Sequence, residues 1–377
     1  MTQDVCKKCS MLAAVVTVRS DPLCADCFAR FVNTKVVKRM EGFRTRYATA
    51  GEERCLLLPV SFGVGSLTLL HVLDRHLVQQ CERYGRTGYA LRVLYVGVEG
   101  AERERLAMLR EKYRHPVTVL PLAAVFESAD DTDGADGVSG ASEVDADADH
   151  TDDADQGNGT DKTKDTQGNS TEAAEKLTTL LAALTPTSTA DVISILKTRL
   201  IANYARRTGC EAVLWGSSTT RLAETALAET AKGRGFALPW HLADGPSPYG
   251  VAFHHPLRDV LGKELTAHAE IVFPELLPLV AEEVLPRGTI DGLMRGYFAS
   301  VEESYPSIVS NVVRTTGKLK PPPPGVARCA LCSLPVEADQ LGIYGWGGDQ
   351  AAGRGAEGEL CYGCSRAVPA EAAALLR

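Results

Sequence analysis

The sequence predicts an α/β fold in which a parallel sheet carries helices on both faces and is flanked by N- and C-terminal four-cysteine zinc modules. Three observations support this reading. Short apolar runs alternate with helix-spaced apolar stripes, paired Cys-x2-Cys motifs stand near both ends, and one acidic segment interrupts the alternation without ending it.

The cysteine motifs come first along the chain. Cys6 and Cys9 with Cys24 and Cys27, and Cys329 and Cys332 with Cys361 and Cys364, account for eight of the eleven cysteines. A Cys-x2-Cys knuckle places two thiolates on one metal ion, and a second knuckle from a distant segment closes a structural tetrahedral site. Two structural Zn(2+) sites are therefore expected. Disulfides are the alternative, but the chain begins MTQDVCKK with no apolar signal run, so a reducing compartment is expected. The pairing of the pairs argues for structure rather than redox or sulfur transfer.

The first module spans 1–30. A basic-aromatic connecting helix follows over 31–50, with Lys35, Lys38, Arg39, Arg44 and Arg46 among Phe31, Phe43 and Tyr47. Cations beside aromatics suit contact with RNA phosphates and bases. A helix that buries its aromatics and solvates its basic face accounts for the same residues, and both readings stay open.

The α/β domain is expected over 51–320. Cys55 to Val60 is an apolar strand, Ser61 to Ser66 a turn of small residues, and Leu67, Leu70, Leu73 and Leu77 a helical stripe. Leu91 to Val98 is a second strand, Ala101 to Tyr113 a charged helix, and Val117 to Leu122 a third strand. Ser188 and Asp191 read as a cap before a long helix striped by Ile193, Leu196, Leu200 and Tyr204. Glu211 to Trp215 is a further strand, followed by Gly216-Ser217-Ser218 and a helix over Thr219 to Thr230. Pro256 to Ala267 is expected to hold a helix, and Tyr305 to Leu319 a helical or loop tail. The prolines Pro321 to Pro324 form a stiff linker into the second module, within 321–377.

The segment 127–176 holds 16 acidic and 3 basic side chains and almost no large apolar ones, a local charge of −13 against −8 for the whole chain. It is expected to be a disordered insertion, a solvated spacer in preference to a nucleic-acid mimic or partner tether. The remaining chain carries about +5, which permits contact with a nucleic-acid backbone. At 377 residues and 45% hydrophobic content the chain can bury a full core, and no apolar stretch reaches the roughly 20 residues of a membrane span. A soluble cytoplasmic protein is expected.

Ser61-Phe62-Gly63-Val64-Gly65-Ser66 sits between strand and helix, where backbone amides could cradle a phosphate, although a plain tight turn explains it equally. Together with the two cysteine modules, Gly216-Ser217-Ser218, the segment Pro256-Leu257-Arg258-Asp259, Val125-Phe126 and Ser307 to Ser310 ahead of Arg314-Thr315, it makes the chain resemble the cytoplasmic tRNA 2-thiolation protein 2 family over nearly its full length outside the insertion. That family is related to the PP-loop ATP pyrophosphatases, so the resemblance implies a degenerate PP-loop domain over 51–320.

Active PP-loop members carry Ser-Gly-Gly-x-Asp-Ser at the first loop. Here Ser61, Gly63 and Ser66 match, Phe62 replaces a glycine and Gly65 replaces the acid. A bulky Phe62 is expected to restrict approach to pyrophosphate, and the lost carboxylate removes a magnesium contact. At the second loop Gly216, Ser217 and Ser218 stand where relatives have Gly-His-Asn before two acids, and both acids are gone, so ATP binding is doubtful. Active thiolation subunits also carry a Cys-x2-Cys and a third cysteine. The remaining Cys55, Cys81 and Cys210 include no such pair and read as core residues, so no iron–sulfur cluster is expected. The resemblance implies a non-catalytic subunit with no catalytic residue of its own. Its partners would be tRNA, an active PP-loop thiolase subunit and a thiocarboxylated ubiquitin-related sulfur carrier, in 2-thiolation of wobble uridine 34. The alternatives are an ATP-dependent tRNA sulfurtransferase with residual activity, or an interaction scaffold built on the zinc modules.

Overall fold

A computed structural model describes residues 5–47, 54–97, 102–127, 163–281, 288–321, 327–336 and 360–376. Strands β1 (Val16–Val18) and β2 (Asp21–Leu23) form an antiparallel hairpin, and helix α1 (Ala25–Arg39) follows directly. The central domain runs β3 (Cys55–Pro59), α2 (Val64–Tyr84), β4 (Ala90–Gly97), α3 (Arg103–Lys112), β5 (Val117–Pro121) and α4 (Thr163–Ala182). It continues with α5 (Pro186–Arg207), β6 (Ala212–Leu214), α6 (Thr219–Ala231), α7 (Leu238–Leu242), β7 (Gly245–Pro246), β8 (Ala252–His254) and α8 (Gly262–Val272). Helices α9 (Ile290–Ser304) and α10 (Pro306–Thr316) precede a small hairpin of β9 (Ala327–Arg328) and β10 (Pro335–Val336), then α11 (Tyr362–Ala367).

The sheet order is β5-β4-β3-β6-β8-β7, parallel except for the edge strand β7. Alternate side chains of the apolar runs enter opposite cores, as a sheet buried on both faces requires. Leu56, Leu58, Leu91 and Val93 meet α1, α2, α3 and α8, together with the N-terminal cysteine module. Leu57, Leu94, Val96 and Val213 meet α4, α5 and the C-terminal module. The cysteine modules thus lie in cores on opposite faces of one sheet.

Several boundaries differ from the sequence expectation. The first module does not end near residue 30 in a separate connecting helix, because α1 begins straight after Cys24 and carries Cys27 in its first turn. The part of the acidic insertion at 128–162 lies outside the described residues, but its end is helical. Helix α4 contains 163–176, with Ala173 and Leu180 buried and Leu177 and Leu181 packed beside them. Polar composition hid this stripe. Helix α5 starts three residues earlier than the Ser188 cap, because the Thr185 hydroxyl accepts the Ser188 amide at 3.2 Å and Pro186 occupies the first turn. The tail over 305–319 is helix α10, packed with α9 on α6 through Phe298, Val309 and Val313. Most of the proline linker lies outside the described residues, and no described helix is long and apolar enough to cross a membrane.

One buried charge network ties these parts together. Arg234, 1% exposed, donates bidentately to Asp191 of α5 at 2.8 and 2.5 Å and to Glu229 of α6 at 2.7 and 3.1 Å. Lys232 donates to Asp191 and to Asp291 of α9, each at 2.8 Å. Burial alone would raise the Glu229 carboxyl, but the Arg234 guanidinium overrides it and holds it at about 2. Arg234→Ala would leave the buried Asp191 and Glu229 carboxylates with Lys232 as their one remaining cation in the network and should cost about 3–5 kcal/mol in urea unfolding.

The core also encloses histidines held neutral. Burial, reinforced by neighbouring cations, pushes His255 down to about 3 and His71 and His268 down to about 4. In the unfolded chain each titrates at about 6.5, so the unfolded state binds more protons between these values. Their contribution is complete above about pH 6.5 and is lost as pH falls toward 4. The melting midpoint should be flat from pH 8 to 7 and drop by about 5 °C or more by pH 5. Both ring nitrogens of His268 lack a hydrogen-bond partner among the described residues, so His268→Leu should reduce that drop, separating it from any acid effect on the cysteine sites.

Candidate functional site

The two cysteine sets close as expected. In each, the four sulfurs lie within 4.8 Å of one another, with Cys9 to Cys24 at 3.8 Å and Cys332 to Cys361 at 3.9 Å. A tetrahedral ion with bonds of about 2.3 Å sets its sulfurs about 3.8 Å apart, so both sets fit one zinc ion. Cys9 is half-buried and the other seven are buried.

The modules share one construction that sequence reading missed. In the first knuckle the Ser10 amide donates to the Cys6 carbonyl at 2.8 Å with Ser10 at φ 54°; in the second, Ser333 donates to Cys329 at 2.8 Å with φ 56°. The second pair of each set then opens a helix. Cys24 is the N-cap of α1 and Cys361 the N-cap of α11, each placing its partner cysteine in the first turn. The signal was available as the repeated string Cys-x2-Cys-Ser.

The second module is fastened to the domain by polar contacts. The Arg199 guanidinium on α5 donates to the carbonyls of Ala330 and Leu331 at 3.0 and 2.8 Å, and the Tyr249 hydroxyl donates to the Cys332 carbonyl at 2.9 Å. On the other side, a Cβ at Gly363 would lie 2.5 Å from Arg234 Cγ and 2.7 Å from the Lys232 carbonyl oxygen. The α11 backbone therefore rests directly on the buried arginine.

At the carboxyl end of the sheet a cavity of about 920 Å³ opens between β3 and β6, where the strand order reverses. It brings together every expected loop residue, Ser61, Gly63, Gly65 and Ser66 from one side and Gly216, Ser217 and Ser218 from the other. Lys197, Arg221, Glu224, Arg295 and Glu302 also line it, and the sequence reading counted none of these five as a site residue.

The two loops are closed on each other. A Cβ on Gly65 would fall on the Gly216 carbonyl oxygen, and one on Gly216 would lie 2.7 Å from the Ser66 backbone. Both glycines are required by this approach, whether or not a ligand binds. The first loop also uses its own polar groups. The Ser66 hydroxyl donates to the Gly63 carbonyl at 3.0 Å and accepts the Ser61 amide at 3.3 Å, while the Ser61 hydroxyl accepts the Gly63 amide at 3.4 Å. Ser218 caps α6 by accepting the Arg221 amide at 3.1 Å.

Phe62 does not act as expected. It stands at φ 58°, a conformation that favours glycine, but its side chain is fully buried beside Tyr95, 5.4 Å between ring centres, and does not line the cavity. The left-handed backbone turns the ring into the core rather than toward the loop mouth. Glu302 is a second feature of the site. Its carboxylate accepts the Thr220 hydroxyl at 2.6 Å and approaches the Lys263 amide at 3.3 Å, so a side chain already occupies the amino end of α8.

The five expected basic contacts separate. Lys35 donates to the Asp259 carbonyl at 2.5 Å and Arg39 to the Asp259 carboxylate at 2.6 Å, holding α1 against the turn before α8. Arg44 and Arg46 share Glu41 at 3.3 and 3.0 Å, and Lys38 is exposed. Of the cysteines outside the modules, Cys55 and Cys210 lie 3.1 Å apart at the amino ends of β3 and β6, at the opposite end of the sheet from the cavity, and Cys81 is exposed on α2. The sequence reading treated these two as unpaired, because only the strand order makes them neighbours.

Comparison with known proteins agrees with this architecture. Residues 289–343, which include α9 and α10, match the family model described as cytoplasmic tRNA 2-thiolation protein 2. Proteins of that name from Phaeosphaeria nodorum and Pyrenophora tritici-repentis are 45% and 43% identical, each over 98% of this chain and 95% of their own length. The solved U34-tRNA thiolase NcsA from Methanococcus maripaludis, with its 4Fe-4S cluster, superposes at a TM-score of 0.56 and 13% identity over 89% of this chain and 93% of its own, a likeness of fold alone. By its full-length identity to these relatives, the chain belongs to the cytoplasmic tRNA 2-thiolation protein 2 family.

Proposed function

We propose that this chain is the non-catalytic subunit of a cytoplasmic two-subunit tRNA thiolase that makes 2-thiouridine at position 34. Its partner would be an active PP-loop subunit, and the sulfur would come from a thiocarboxylated ubiquitin-related carrier. The observation that carries this reading is the contact of Gly65 with Gly216: the position of the acidic residue in active relatives is filled by a backbone carbonyl, so no carboxylate fits there. Metal-assisted activation of a nucleotide lacks its ligand at that point. The thiols agree. Eight cysteines are committed to two closed sets, and Cys55 and Cys210 lie at the far end of the sheet from the cavity.

Zinc is the ion proposed for both sets, because their sulfurs stand at single-ion spacing whereas a cluster interposes several irons and sulfides. Each ion would stabilise its knuckle and the helix start that completes it. Exposed Lys38 near the end of α1, with half-buried Arg44 and exposed Arg46 in the turn after it, is proposed to face tRNA. The cavity has room for a nucleotide and carries Lys197, Arg221 and Arg295, so retained ATP affinity is the second reading.

Co-expression of the chain with an active PP-loop subunit, followed by mass spectrometry of tRNA nucleosides, should yield 2-thiouridine only when both are present; thiolation by this chain alone would overturn the proposal. Calorimetric titration of the isolated chain with ATP and magnesium should show no heat of binding, whereas a clear isotherm would favour the second reading. Gly65→Asp should destabilise the chain by about 2 kcal/mol or more rather than restore nucleotide binding, since the new Cβ meets backbone. Elemental analysis should find two zinc ions per chain, and Cys361→Ala should remove one and lower the melting midpoint by about 5 °C or more.

A further inference from the structure

A second depression, of about 650 Å³, lies at the other end of α2. Its lining includes Arg44 and Arg46 from the turn after α1, and Arg83 and Arg86 from the end of α2, with His76 and Tyr84 between them. Among the described residues no carboxylate lines it. Glu41, outside the lining, is shared by Arg44 and Arg46 and offsets one of the four charges. Arg83 and Arg86 are exposed. His76 titrates below its usual range, first because it is buried and then because Arg44 and Arg83 repel a proton.

Two arginines near a helix carboxyl end can be explained by the helix dipole. That explanation covers Arg83 and Arg86 but not Arg44 and Arg46, which come from a separate segment and converge on the same hollow. Planar guanidinium forks suit phosphate oxygens, and flat side chains beside them suit bases. Tyr84 is 65% exposed and Tyr47, beneath the Arg46 guanidinium at 4.6 Å, is 54% exposed. Four cations and the exposed Tyr84 ring line one concave surface, with Tyr47 against Arg46, a combination suited to an RNA backbone.

We infer that Arg44, Arg46, Arg83 and Arg86 hold a stretch of tRNA backbone at this depression. The inference rests on the tRNA-thiolase reading and deepens it. Helix α2 has 21 residues, so its two ends lie roughly 30 Å apart, and the site is separated by that length from the loop cavity. This chain therefore grips tRNA at a point remote from its own degenerate loops and leaves the reacting uridine to the partner's site.

The test uses the full chain, alone and with its partner, and tRNA carrying uridine 34, with binding measured across salt concentrations. Arg83→Glu with Arg86→Glu should weaken binding at least tenfold and reduce the slope of log affinity against log salt by about 1 to 2. Arg83→Lys with Arg86→Lys should keep most of the affinity. Arg103→Glu with Arg314→Glu, outside the depression, applies the same charge change and should have a smaller effect. Melting midpoints and partner binding should be unchanged in all three. Equal losses from the two charge reversals, or unchanged affinity and slope at Arg83 and Arg86, would overturn the site while leaving the thiolase reading intact. Loss of partner binding with tRNA affinity preserved would make the depression a protein interface and overturn it as well. Absence of tRNA binding by both the wild-type chain and the complex would overturn the site and the thiolase reading together.

Discussion

The burial of Arg234 is the constraint on which the second half of the molecule depends. Its guanidinium satisfies Asp191 at the start of α5 and Glu229 near the end of α6, while Lys232 extends the network to Asp291 on α9. A buried cation needs full pairing, and that pairing fixes where three helices begin or end. The network is then the seat of α11, where Gly363 permits contact with the arginine stem. Gly233, at φ 81°, turns the chain between Lys232 and Arg234 and lies against the Tyr362 ring. The C-terminal cysteine set is thereby positioned from below by ion pairs and from the side by Arg199.

The loop cavity needs no bound ligand to account for its glycines and serines. Parallel strands diverge at β3 and β6, so a crevice at their carboxyl ends follows from topology alone. Gly65 and Gly216 persist for close packing, Ser66 ties the loop to itself, and Ser218 caps α6. Each has a structural role independent of phosphate. Phe62 is the instructive residue: its positive φ marks a glycine-like turn, and the ring is accommodated by being buried against Tyr95.

Much of this was legible in the sequence. β3 and β4 read clearly because residues buried on both faces leave continuous apolar runs, and the cysteine sets read clearly because thiolate geometry fixes their spacing. The loop residues were all found, since small residues between a strand and a helix mark a strand's carboxyl end. What failed depended on distant partners. The charge of Lys35 and Arg39 gave no sign that Asp259, over 200 residues away, would occupy them. Lys197, Arg221 and Arg295 line the cavity only because α5, α6 and α9 converge there. Helix α4 was hidden because threonine and acid residues masked a stripe of four apolar positions. The direction of the Phe62 side chain depends on one backbone dihedral that composition does not encode.

The placement of the two cysteine modules follows from the same physics. Each contributes buried cysteines to a core on one face of the sheet, so neither is a tethered appendage. A knuckle of this size has little apolar surface of its own, and it becomes rigid only when its sulfurs are held and its flank is packed. In the first module the packed flank is α1, whose Phe28, Val32 and Val36 are buried in the core that holds α2 and α8. In the second it is α11, packed beside α5. A metal ion bound at either end would therefore be coupled to the packing of the sheet face it covers. That coupling would give all eight cysteines a structural role in the two faces of the sheet.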